Sequence, residues 1–314
     1  MRWLAAALLL ILAAAPATAA KRIALSFDDV PRARGAFFTP DERTARLIAG
    51  LKAAGVKQAA FFVVPGYIGQ KDGVGGEARI AAYVAAGHVI ADHSFTHRHL
   101  SELSAADYLA DIDRAEAWLK GRAGRRPWFR YPFLDEGQTD KLKVAAVRAG
   151  LKARGLSNGY VTVDGSDWNI EDLTIAAKTA GKTMDMTALR DLYVSTMVGA
   201  ADFADQLGRR TFRRQPDQVI LLHETDLAAL FIPDLVGALR QDGWTIIAAD
   251  KAYRDPIAQL APDVPSANGT LLELAAWEKG IPEPRWYERN DTDLANRLFA
   301  EQVLHETPAP AAAK

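Results

Sequence analysis

Four of the six histidines, His88, His93, His97 and His99, fall within twelve residues, and two adjacent carboxylates, Asp28-Asp29, close an apolar run near the start of the chain. There is no cysteine, so a metal ion could be held only by imidazole and carboxylate groups. If the chain turns helical from Ser94 onward, His93 and His97 lie one turn apart on one face and can grip one ion. An exposed pair that binds nothing fits the same spacing. Neighbouring side chains in an extended strand point to opposite faces, so Asp28 and Asp29 are expected to diverge, one toward a metal and one toward a water. Three further clusters carry polar groups of useful chemistry. Phe129-Arg130-Tyr131-Pro132-Phe133 offers a guanidinium that could hold a carboxylate bidentately. Asp164-Gly165-Ser166-Asp167-Trp168 supplies two carboxyls, and Leu221-Leu222-His223-Glu224 delivers a histidine to the tip of an apolar run. His88 and His99 lie outside the pair spacing and read as strand-edge and surface histidines.

These clusters need elements to bring them together. Short β-branched or aromatic runs at Ile23–Phe27, Ala59–Val64, His88–Ala91, Trp128–Tyr131, Tyr160–Val163, Val219–Leu222 and Trp244–Ala248 alternate with helical patterns. Such alternation predicts a parallel α/β arrangement, a barrel-like single domain of about seven strands, with each polar cluster at a strand's C-terminal end where barrels build their sites. Thr39-Pro40-Asp41-Glu42 marks a helix start, with cap, first-turn proline and third-position glutamate. Ser104 with Asp107 repeats the capping pattern. Further helices are expected from about Thr187 to Leu207 and from Asp226 to Arg240. The glycine-rich stretch Gly66–Gly76 reads as a surface loop.

The ordered set Ser26-Phe27-Asp28-Asp29, His93-Ser-x-x-His97, Arg130-x-Pro132-Phe133, Asp164-x-x-Asp167-Trp168 and Leu221-x-His223 resembles the polysaccharide deacetylases of the NodB-homology type, carbohydrate esterase family 4, over residues 21–250. The resemblance implies a distorted (β/α) barrel, usually of seven strands, binding one divalent metal and removing N-acetyl groups from amino sugars. It also implies roles. Asp29, His93 and His97 match metal ligands, Asp28 the general base, Arg130 the group holding that base, and Asp167 the carboxylate tuning a catalytic histidine. His223 matches the general acid, Trp168 and Leu221 the walls of an acetyl-methyl pocket, and the backbone N–H of Phe133 an oxyanion donor. Amide hydrolysis at neutral pH asks for such a set: an activated water, a stabilised oxyanion and a proton for the departing amine. Three protein ligands leave zinc an open coordination position, although cobalt, nickel or manganese suits the same donors. Two features depart from the family pattern. Ser26 stands where threonine commonly opens the first motif, and Leu134-Asp135-Glu136 delays the glycine of the third motif to Gly137, which puts substrate specificity rather than chemistry in question.

Composition bounds the partners. With 38 Lys plus Arg against 39 Asp plus Glu, the chain has no cationic field for nucleic acid. The run Trp3–Ala15, followed by small residues up to Ala19-Ala20, reads as a secretory signal peptide over residues 1–20. Its 13 apolar residues fall short of the roughly 20 that span a bilayer, so no stable membrane insertion is expected. The chain is therefore expected in the periplasm or secreted, acting on an acetylated glycan such as peptidoglycan, a chitin-type oligomer or an exported polysaccharide. A non-glycan amide or O-acetylated xylan is an alternative substrate, and a non-catalytic carbohydrate-binding protein an alternative class. Residues 251–314 read as a helical or irregular extension with a frayed Ala/Pro-rich tail, and a monomer is the default.

Overall fold

The structure is a computed structural model and describes residues 21–307. The expected signal peptide and the last residues of the expected frayed tail lie outside them. Six parallel strands make the frame: β1 (Arg22–Val30), β2 (Ala60–Val63), β3 (Val89–Asp92), β4 (Arg125–Phe129), β6 (Ser157–Asn158) and β7 (Gln218–His223). Lateral order runs β6-β4-β3-β2-β1-β7, and a two-residue strand β8 (Thr245–Ile246) pairs with the first residues of β1. The open edges are joined by the chain itself. After β6 the Gly159 N–H still donates to Phe129 O (2.7 Å), and three residues later Thr162 N–H donates to Val219 O while Leu221 N–H donates to Val163 O (2.9 Å). The segment leaving β4 thus arrives on β7, closing the curled sheet into a distorted (β/α) barrel. A separate antiparallel ribbon pairs β5 (Asp135–Gln138) with β9 (Ala267–Asn268).

Side-chain alternation explains why a polar residue can end each strand. On β1, Ile23, Leu25 and Phe27 pack outward against helices, while Ala24, Ser26 and Asp28 face the barrel interior. β2 likewise sends Phe61 outward and Ala60 and Phe62 inward, and β7 sends Ile220 and Leu222 outward and Val219 and Leu221 inward. The small inner residues Ala24, Ser26, Ala60 and Ala91 leave room near the rim for the buried Arg130 side chain. Outside, α1 (Pro40–Ala53), α6 (Met186–Phe212) and α7 (Asp226–Gln241) bury Leu47, Leu51, Tyr193, Met197, Ile232 and Leu235 against the sheet. α3 (Ala105–Leu119) and α4 (Lys141–Ala153) enclose a second cluster around Tyr108, Phe129 and Leu151. No helix among the described residues is long and apolar enough to cross a membrane.

Several local expectations change. The Thr39 capping box of α1 and the Ser104 cap of α3 form as expected. The strand expected at Trp128–Tyr131 lies earlier and ends at Phe129, and Tyr160–Val163 forms bridging contacts rather than a strand proper. Residues after Gly66 form two short 3-10 turns and then α2 (Gly76–Ala85), so only part of Gly66–Gly76 is plain loop. α4 and α5 (Asp167–Thr179) carry no expectation in the sequence reading. Beyond residue 250 the chain adds α8 (Ala249–Ala252), β9, α9 (Leu271–Glu278) and α10 (Thr292–Gln302).

Candidate active site

Because all the barrel strands run parallel, their C-terminal ends share one rim, and each polar cluster is delivered there. Asp28 is buried at the end of β1, and its Oδ1 accepts from Arg130 Nη1 at 2.7 Å. The Arg130 guanidinium also donates to Ser26 Oγ (2.9 Å), Gly159 O (2.6 Å) and Tyr253 Oη (2.7 Å), and lies 3.9 Å over the Phe62 ring. Burial outweighs the opposing Arg130 charge and pushes the Asp28 carboxyl up to about 6.

Asp29 does not diverge from Asp28. Its backbone adopts φ 66° and the β1–β2 register shifts between Phe27 and Val30, so the extended-strand rule fails there and both carboxylates reach the same site. The bend brings Asp29 Oδ1 to 3.0 Å from His97 Nε2 and 3.7 Å from His93 Nε2, while Asp28 Oδ2 lies 3.5 Å from His93 Nε2. Arg32 Nη1 donates to the other Asp29 oxygen at 3.0 Å. Burial works against ionisation of Asp29, but the facing His97 and the nearby His223 and Arg32 charges outweigh it and hold the carboxyl below its usual range.

The expected helical turn after Ser94 is absent. Ser94 (φ 64°) and His97 (φ 54°) are left-handed, Ser94 N–H donates to Asp92 Oδ1 (2.7 Å), and Ser94 Oγ accepts from His97 N–H (2.9 Å). This tight turn, not an i,i+4 helical face, brings the two rings within 4.9 Å of each other. His93 Nδ1 sits 2.9 Å from Arg130 O, a carbonyl that can only accept, which fixes the proton on Nδ1 and leaves the Nε2 lone pair pointing into the site. Burial holds His93 well below its usual value, so the ring is neutral.

One donor atom each from Asp29, His93 and His97 lie within 4.8 Å of one another, and Asp29 Oδ1 is buried with no hydrogen-bond donor. Converging imidazole nitrogens and a carboxylate oxygen are what a divalent cation satisfies, and that is a donor set zinc accepts. The residues present fit such an ion.

Across the cavity, His223 Nδ1 lies 2.7 Å from Asp167 Oδ1, and its backbone N–H donates to Asp167 Oδ2 at 2.9 Å. Burial alone would lower the imidazole, but the charge and hydrogen bond of Asp167 prevail and raise it to about 9. Trp168, Leu221, Phe133 and Leu134 form apolar walls of the same cavity, about 390 Å³ in volume, with the two carboxylates, the two histidines and His223 on its floor. Phe133 has a left-handed backbone (φ 58°) and an exposed ring stacked on His99 at 3.7 Å. His99 itself does not line the cavity; partly exposed, it stacks behind Phe133 and faces Asp135 at 3.3 Å. His88 is buried, and its Nδ1 accepts from the Ala59 N–H, a structural contact away from the cavity. All ten residues singled out for the site thus fall around one cavity or, for Arg130 and Asp167, directly behind it.

Sequence reasoning missed Arg32, Asp172 and Tyr253. Arg32 bridges Asp29 and Asp172 (3.6 Å) beside the cavity, and a basic residue three positions after the paired aspartates was the available signal. Tyr253, more than 120 residues from Arg130 in sequence, carries no signal in any motif.

The family model described as polysaccharide deacetylase matches residues 15–153. That stretch, somewhat under half of the chain, matches a family of enzymes. The matched stretch contains Asp28, Asp29, His93, His97 and Arg130, whereas Asp167 and His223 lie beyond it. Among solved structures, the chain is similar to a family 4 carbohydrate esterase from Streptomyces lividans, at 24% identity over 78% of this chain and 100% of that one, with a TM-score of 0.49. It is also similar to the peptidoglycan deacetylase PdaC from Bacillus subtilis, at 19% identity over 74% and 90% of the two chains, with a TM-score of 0.46. The Xyl-CE4 domain of a multidomain xylanase from the hindgut metagenome of Trinervitermes trinervoides matches at 19% identity over 75% and 90%, with a TM-score of 0.48. No curated protein matches the chain.

Proposed function

We propose that the protein is a metal-dependent hydrolase that removes N-acetyl groups from an amino-sugar glycan after export to the periplasm or beyond. The observation that carries this reading is one cavity holding a buried carboxylate raised toward neutrality, a converging Asp29, His93 and His97 cluster and a histidine kept charged by a carboxylate. Asp29, His93 and His97 would hold the ion, zinc by donor type, with cobalt, nickel and manganese as competitors. Such an ion supplies Lewis acidity, polarising the acetyl carbonyl and acidifying the attacking water. Asp28, oriented by Arg130, accepts the proton of that water. His223, held in one tautomer by Asp167, donates its Nε2 proton to the departing amine nitrogen. The Phe133 N–H stabilises the oxyanion, and Trp168 and Leu221 enclose the acetyl methyl group. The leader read in residues 1–20 supports export.

Acetate release from chitooligosaccharides, peptidoglycan and acetylated xylan tests the reading, before and after chelation. Acetate from either amino-sugar substrate, abolished by chelator and restored by zinc, is expected. Acetate from xylan alone would reassign the protein as an esterase, and a metal-loaded protein that releases none would make it a binding protein.

The acid's assignment sets a pH dependence. His223 has a folded value raised to about 9 from the ordinary value near 6.5, so the stability its charge contributes is complete below about 6.5 and is lost as pH rises through about 9. Its proton-donating role ends over the same upper range. A log kcat/KM profile should therefore fall above pH ~9, and Asp167→Asn should move that limb acidward by one unit or more. An alkaline limb in the same place for both proteins would remove His223 from the acid role.

A further inference from the structure

The fourth motif loop, Asp164–Trp168, has an improbable conformation that its own residues hold only in part, through Asp164 Oδ1, which accepts from the Ser166 N–H at 2.8 Å. Ser166 is left-handed (φ 52°, ψ 46°) although it carries a Cβ, and as N-cap of α5 its side chain caps no α5 amide. Asp167, the first residue of α5, must nevertheless be placed closely enough to meet both the ring and the backbone N–H of His223. A second support comes from the far end of the chain. Asn290 Nδ2–H donates to Asp164 O (3.1 Å), and Asn290 Oδ1 accepts from the Ser166 hydroxyl (3.0 Å), so one amide spans the left-handed residue. Both contacts agree with a single orientation of that amide.

The surroundings of Asn290 are built to fix it. Arg289 Nη1 donates to Thr196 Oγ1 (2.9 Å) on α6, and Asn169 Nδ2–H on α5 donates to Asn296 Oδ1 (3.2 Å) on α10. Gly199 of α6 admits the Tyr287 hydroxyl, which any Cβ at that position would overlap, and a Cβ at Gly165 in the loop would lie 2.5 Å from Met197 Cε. The Asp185 N–H before α6 donates to Val303 O after α10 (2.9 Å). Loop and C-terminal segment are thus fastened to one another and to α6, more than 120 residues apart in sequence.

We propose that Asn290 is a positioning residue for the proposed reaction: by clamping the Asp164–Ser166 turn, the C-terminal segment sets Asp167 against His223. This inference rests on the reading of His223 as the acid, yet its geometry can be tested with no substrate. In full-length protein, the His223 ring N–H proton, hydrogen-bonded to Asp167, should give a downfield proton NMR signal, and the His93 Nδ1–H serves as an internal reference. In Asn290→Ala that His223 signal is expected to move upfield or broaden by exchange while the His93 signal stays, with kcat about tenfold lower, KM within about twofold and metal content unchanged. Ser166→Ala removes only the hydroxyl that Asn290 accepts and should give the same changes at smaller size, so it decides the matter if Asn290→Ala does not fold. A wild-type His223 signal in both folded variants, or in Ser166→Ala alone where Asn290→Ala is unfolded, overturns the proposal, as does a fall in kcat with that signal unmoved. A displaced signal in a protein that releases no acetate from any substrate sustains the clamp and defeats the deacetylase reading instead.

Discussion

Asp28→Asn is expected to lower kcat by about two to four orders of magnitude while metal content stays at the wild-type level. The asparagine side chain has the same shape, and its Oδ1 can still accept from Arg130 Nη1, so the guanidinium and the interior of the barrel should keep their places. What is lost is the only property the proposed mechanism asks of this residue, a carboxylate that can take a proton. The value near 6 matters here, because a base that accepts a proton efficiently at neutral pH is one whose pKa lies not far below it. Asp29 does not substitute. Its Oδ2 is engaged by Arg32 and its Oδ1 belongs to the donor cluster with His93 and His97, and it is held in the ionised state far more firmly. Steady-state kinetics beside elemental analysis of the purified variant checks the expectation. Turnover within about tenfold of wild type, with metal present, would take the base role away from Asp28.

Which parts were legible in the sequence follows from how each is encoded. β1, β2, β3 and β7 are buried on both faces and announce themselves as near-continuous apolar runs. α1, α3 and α7 begin at Thr39, Ser104 and Thr225, residues whose side chains accept from the first helical turn. β4 was misplaced because Arg125, Arg126 and Pro127 hide its opening half, and β6, with two residues, is too short for any alternation to show. The site's residue types were readable because most sit at or close after the C-terminal end of an apolar run, but their mutual geometry was not. Asp29, Ser94, His97, Phe133, Leu134 and Ser166 all take positive φ without being glycine, and a non-glycine residue type gives no warning of that. Rules that assume extended or helical backbone, the divergence of Asp28 and Asp29 or the helical spacing of His93 and His97, fail at those residues. Six such residues at one rim are the backbone strain expected of a functional site, held in place by contacts from elsewhere, such as Asp92 beneath Ser94 and Asn290 across Ser166.

Arg130→Met is expected to destabilise the fold by about 3–5 kcal/mol, the usual consequence of removing one partner from a buried ion pair. In a domain of this size that corresponds to a fall in Tm on the order of 10 °C. The expectation rests on what the guanidinium satisfies. It donates to Asp28, Ser26, Gly159 and Tyr253 within the barrel. Methionine restores apolar volume beside Phe62 but leaves the Gly159 carbonyl and the Asp28 carboxylate facing an interior without donors. Asp28 would then bind a proton more readily still, because the group that opposes its desolvation is gone. The double variant Asp28→Asn/Arg130→Met separates charge from packing. With no unpaired carboxylate left, it should recover part of the stability lost in Arg130→Met, and the size of that recovery measures the coupling between the two side chains. Thermal unfolding of the four proteins reads it directly. If the single Arg130→Met variant melts within about 2 °C of wild type, the pair is not the interior support that its burial and hydrogen bonds describe.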